Sequence, residues 1–170
     1  SQGALVSGAI GSDVRGPVAA RYGWKAGSGG HARLYVKAVD RESHAASDAP
    51  DYDSWQMVQT GFRGDWAQAG GARRLTVQGD AYAVALGQQF SELIGTPPFS
   101  RRVERTAPLS GANVLARWSG PLSGGGRFQL QTYLDRTSRD ERPVGEVRHT
   151  FDVDGQLQRR LWAGHEIVTG

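Results

Sequence analysis

Apolar and polar residues alternate along this chain, segment after segment. From Gly126 to Thr137, Phe128, Leu130, Thr132 and Leu134 alternate with Gln129, Gln131, Tyr133 and Asp135. From Thr150 to Leu161, Phe151, Val153 and Leu157 alternate with Asp152, Asp154, Gln156 and Gln158. A period of two places one set on each face of a β-strand. The same pattern predicts strands over Ala4–Ser12, Pro17–Ala26, Ala32–Arg41, Trp55–Trp66, Arg74–Ala85 and Gly111–Ser119, with the start of a ninth at Glu166–Gly170. The predicted fold class is all-β, an antiparallel up-and-down meander of about eight strands.

The connections sort into two kinds. After a first tight turn at Ser12–Gly16, short ones fall at 27–31, 67–72, 120–126 and 163–165, and longer ones at 42–54, 86–110 and 138–148. Short turns at one end and long loops at the other are the habit of an outer-membrane barrel. Trp24, Trp66, Trp118 and Trp162 each lie just before a short turn. They read as a membrane girdle, four indoles at one interfacial level. Trp162 is one residue off the parity of its strand, and Arg159 falls in an apolar slot, where it must snorkel to the interface. The apolar face is mostly Ala, Gly, Thr and Val with scattered Leu, too small to fill a water-excluding core well. This predicts a segment of a transmembrane β-barrel. The alternatives are a complete small eight-stranded outer-membrane barrel, or a soluble β-barrel binding module with the apolar face as its core.

Composition narrows the classes. The 170 residues suit one domain, or one piece of a longer protein. No run approaches the ~18 apolar residues of a membrane helix. Cysteine is absent, which excludes a disulfide scaffold and thiolate metal sites. The net charge of +3 is carried by scattered Arg, so nucleic acid is not an expected partner. His31, His44, His149 and His165 have no metal-ligand spacing. Gly27–Gly30 and Gly124–Gly126 lack the lysine and the strand-to-helix setting of a phosphate loop. Arg63-Gly64-Asp65 spells an adhesion tripeptide, but within an alternating strand it reads as chance. No nucleophile, base and orienting group can be assembled, so no enzyme, cofactor or metal is expected. No stretch reads as a secretory leader, and the chain is expected to be mature or cut from something longer.

On the polar face lie Arg21, Lys25, Arg33, Tyr35, Lys37, Gln59, Arg63, Asp65, Gln78, Asp80, Arg117, Gln129, Gln131, Tyr133, Asp135, Asp152 and Asp154. In a barrel this set faces the lumen. Most of it is expected to satisfy a wet wall by mutual hydrogen bonding, and Arg63, Arg117 and Tyr133 are candidates for ligand contact. Stronger candidates sit in the longest expected loop: Phe90, Phe99, Arg101, Arg102 and Arg105. Loops carry recognition, and arginine pairs with anionic groups. The competing reading is an ordinary surface loop.

In their order along the chain, several segments resemble a TonB-dependent outer-membrane receptor. They are Ala32–Arg41, Asp53–Met57, Gly61–Trp66, Leu75–Tyr82, Asn113–Trp118, Leu130–Thr137, Thr150–Asp154 and His165–Val168. The resemblance covers nearly the whole chain, although each segment alone is an ordinary barrel strand. It implies residence in the outer membrane of a Gram-negative bacterium, within a barrel of about twenty-two strands enclosing a plug domain. It also implies import of a scarce small-molecule ligand, such as a ferric siderophore, haem or cobalamin, powered by the TonB complex. The chain has neither plug nor TonB box. Residues 1–170 therefore correspond to the N-terminal part of such a barrel domain, in contact with plug, bilayer and ligand, and transport is not expected of this part alone.

Overall fold

The computed structural model describes residues 2–9, 11, 16–41, 54–141, 144–162 and 164–170. The strands are β1 (Gly3–Gly8), β2 (Val18–Lys25), β3 (Gly30–Arg41), β4 (Trp55–Ala67), β5 (Arg74–Leu93), β6 (Ser100–Pro121), β7 (Arg127–Glu141), β8 (Val144–Trp162) and β9 (His165–Thr169). They form one antiparallel sheet in chain order, so each strand pairs with its sequence neighbours. Among the described residues β1 and β9 do not pair with each other, and the sheet is open. Among the described residues the one other regular element is a single 3₁₀ turn at Ala69–Gly71, between β4 and β5.

The register sets the faces. Leu34, Phe62, Gly79, Val114, Leu134 and Phe151 lie opposite one another in one continuous row. One residue along, Tyr35, Gly61, Asp80, Asn113 and Asp135 form the corresponding row on the other face. Burial then runs opposite to that of a water-soluble sheet. Leu34 is 52% exposed, Leu134 50% and Phe151 69%. On the polar face Tyr35, Gln59, Arg63, Asp65, Gln78 and Asp80 are half-buried. Ala107 is the one fully buried hydrophobic residue among those described. A sheet needs a second layer to bury an apolar face, and the described residues supply none.

Cross-strand contacts between aromatic residues and glycine recur. A Cβ at Gly61 would meet the Tyr35 ring, and one at Gly111 the Tyr82 ring. One at Gly79 would meet Phe62, one at Gly120 Phe128, and one at Gly30 Trp66. All five are directly opposed pairs in the ladder. Laying a flat ring over a bare backbone packs one face of the sheet without a second layer, and these five glycines serve this purpose.

At the short-turn end, the Trp66 indole crosses both Gly30 and Gly64 and donates its N–H to the Ala26 carbonyl at 3.1 Å. Trp24 stacks on Tyr22 with centroids 6.0 Å apart, and Trp118 meets Phe128 edge-on at 4.8 Å. The parity offset of Trp162 has a physical cause. A register irregularity between Arg160 and Trp162 inserts a residue, which returns Trp162 to the apolar parity beside His165. Trp66→Phe should keep the ring over the glycines and lose about 1 kcal/mol with the N–H. Chemical unfolding checks this, and a variant as stable as the parent would show that the bond contributes nothing.

Two expected loops are strands. Residues 86–93 and 100–107 pair residue by residue, so the connection expected over 86–110 shrinks to 94–99. Likewise β7 and β8 stay paired out to Glu141 and Val144, across most of the span 138–148. The expected loop at 42–54 lies outside the described residues except for Ser54, as does most of the first turn. The β6–β7 ladder ends at Leu109 opposite Arg139, beside Pro108, which has no N–H to donate. β4 still pairs with β5 as far as Leu86, and from Gly87 and Thr106 onward β5 and β6 continue alone as a two-stranded ribbon.

Candidate functional site

The polar face over β3–β7 carries three hydrogen-bonded groups of side chains. The Tyr35 hydroxyl donates to the Asp80 carboxylate and accepts from Gln59 Nε2 at 3.1 Å. Arg63 grips Asp65 through Nε and Nη2 at 2.7 and 2.9 Å, and its Nη1 reaches Gln78 Oε1 at 3.1 Å. The Thr76 hydroxyl donates to Asp65 at 2.8 Å. Arg117 donates twice to Gln131 Oε1, at 2.9 and 2.6 Å. Strand parity makes this possible: residues two apart share a face, and register brings their cross-strand partners alongside. Arg63 is committed to a carboxylate, whereas Arg117 has a neutral partner and keeps its charge for an anion.

The residues assigned to the long loop are in different places. Phe90 faces Val103, Arg101 faces Glu92, and Arg105 faces Gln88, all with polar-face parity on the β5–β6 ribbon. Arg102, opposite Ser91, has the other parity. Phe99 lies in the connecting turn and is 61% exposed. Arg101 makes a 2.7 Å ion pair with Glu92, and Arg105 a 2.6 Å pair with Asp140. These cations hold strands together, and the expected cluster of loop arginines waiting for an anion does not form.

A feature not foreseen from the sequence lies between these groups and the ribbon. At one level the amphipathic pattern reverses in four adjacent strands. Val39, Met57, Val84 and Leu109 form an unbroken apolar row on the otherwise polar face. The next row is Arg41, Trp55, Leu86 and the buried Ala107. Phe90 and Val103 form a second apolar pair on this face further up the ribbon, beyond Gln88 and Arg105. On the opposite face at these levels stand Asp40, Gln56, Gln89 and Glu104. The signal is present in the sequence as a change of phase: apolar residues hold odd positions in β5 up to Ala83, then even ones from Val84.

Charge is also distributed unevenly. Arg21, Lys25, Arg33 and Lys37 line the β2–β3 flank of the polar face, and Asp135, Asp152 and Asp154 line the β7–β8 flank. Arg21 Nε is enclosed without a hydrogen-bond partner among the described residues. Tyr133 shares the acidic flank, one position along its strand face from Asp135. The described histidines are apart: His31 opposes Asp65, His149 opposes Arg136, and His165 packs on Trp162. No protein-family profile, curated protein or solved structure matches this chain.

Proposed function

We propose that this chain is a wall segment of an outer-membrane β-barrel of the TonB-dependent receptor type, with its apolar face to lipid and its polar face to the lumen. The observation that carries the reading is the inverted burial: exposed Leu, Val and Phe on one face, half-buried Arg, Asp, Gln and Tyr on the other. In water that arrangement leaves the apolar face uncovered, whereas in a bilayer the lipid is its second layer. On β4 the apolar stretch runs from Val58 to Trp66. Those eight steps span about 26 Å of strand, and a tilt near 40° turns that into about 20 Å of membrane depth, of the order of a barrel's apolar band. The aromatic cluster at the short-turn end serves as one interfacial girdle.

In this reading the phase reversal is the outer boundary of the hydrocarbon, and the β5–β6 ribbon projects beyond it. The patch from Val39 to Leu109, with Phe90 above it, faces inward at the barrel mouth, where a scarce ligand such as a ferric siderophore, haem or cobalamin would meet the wall. The charged flanks below it would face a plug domain, and Arg117, lower still beside Trp118, keeps a cation for an anionic group inside the barrel. Import would belong to the whole receptor working with the TonB complex.

The test is a spin-label scan along Val58–Trp66 of the protein reconstituted in bilayers. Labels at 58, 60 and 62 should report lipid, and labels at 59, 61 and 63 should report water. Accessibility with no period of two, or with the opposite phase, overturns the wall assignment.

A further inference from the structure

Along the apolar band the lipid-side parity holds few nitrogen-bearing polar side chains, and two of them are directly opposed. Arg136 on β7 faces His149 on β8, which puts their Cα atoms about 5 Å apart. Both side chains are exposed. They border a groove of about 410 Å³ walled by Ala112, Val114, Leu134 and Phe151. The nearest acid in sequence, Asp135, also borders the groove, but its parity is the opposite and its carboxylate accepts a hydrogen bond from Tyr133 on the other face. Along β7 the outward residues run Phe128, Leu130, Thr132, Leu134 and then Arg136, Ser138 and Asp140. Arg136 therefore stands where the apolar run ends, on the side away from the tryptophans.

We propose that Arg136 and His149 hold the phosphate of an anionic lipid in the leaflet at the long-hairpin end, its chains lying in the groove against Leu134 and Phe151. The inference rests on the membrane-wall reading above. The occupant follows from charge and position. A guanidinium cannot be left in hydrocarbon without a counter-charge, and the groups available at that depth are lipid headgroups. An arginine beside a second nitrogen donor suits a phosphate's several oxygens. Ala81 and Ala112, in the same row, leave room for a headgroup that larger side chains would fill.

The test uses the protein reconstituted in phosphatidylcholine bilayers with spin-labelled phosphatidic acid or spin-labelled phosphatidylcholine as probe. Motionally restricted label should favour phosphatidic acid by about fivefold for the arginine alone, the effect of one cation at a membrane surface. Arg136→Gln/His149→Gln should bring the preference to parity, Arg136→Lys should keep most of it, and Arg102→Gln, on the ribbon beyond the band, should not change it. Inorganic phosphate should not compete, because it brings no chains to the groove. A restricted population without headgroup preference, or a preference surviving in the double variant, overturns the lipid site and leaves the wall reading intact. No restricted lipid with either probe overturns both.

Discussion

Leu34→Arg should destabilise the protein in bilayers by about 2–4 kcal/mol, the cost of an arginine at the middle of a barrel's lipid face. Leu34 belongs to the central apolar row with Phe62 and Leu134 and is half exposed. It does not cover a glycine, so the change reads the surroundings and not lost packing. Gln59→Arg is the matched control: its parity is polar and its neighbours are Lys37 and Tyr82. It should cost little, with some repulsion from Lys37. Denaturant unfolding from vesicles measures both. If Leu34→Arg is tolerated and Gln59→Arg is not, the faces are reversed and the soluble-barrel alternative gains ground.

Glycine substitutions should separate two kinds of close approach. A Cβ at Gly111 would lie 2.6–2.7 Å from two ring carbons and the hydroxyl oxygen of Tyr82. A Cβ at Gly79 would lie 2.6 Å from the Asn113 carbonyl oxygen and 2.9 Å from Phe62. Each alanine variant should lose about 1–3 kcal/mol, the usual cost of overpacking. The partner then decides the outcome. Tyr82→Ala should relieve Gly111→Ala, giving a coupling of about 0.5–3 kcal/mol in a double-mutant cycle. Phe62→Ala should leave most of the Gly79→Ala cost in place, because a backbone oxygen cannot step aside. Equal rescue at both sites would show that ring contact is the whole of the effect.

The faces were readable in the sequence because period two is a local signal. Val58, Thr60 and Phe62 against Gln59 and Arg63 need no knowledge of the neighbouring strand. Strand length was less readable. Past Ala83 the apolar positions change parity, and a search for continued alternation stops there, so the β5–β6 ribbon passed for a loop. The Gly–aromatic pairs were not readable, since Tyr82 and Gly111 meet only once the register is known. The same holds for Arg101 and Arg105, whose carboxylate partners lie 9 and 35 residues away. Individual residues named their face, but their partners depended on the ladder.

Strict neighbour pairing has a further consequence, for assembly. With strands in chain order from β1 to β9, each ladder closes through a local hairpin. Contacts of short sequence separation form quickly, since little chain entropy is lost in closing each one. The sheet can therefore grow by adding one hairpin at a time, with stability that sums over adjoining units as in a linear array. Damage to one ladder stays close to where it falls. Inserting or deleting a whole hairpin keeps every other register and both face parities, so walls of this kind can change circumference by duplication without redesign of the strands already in place.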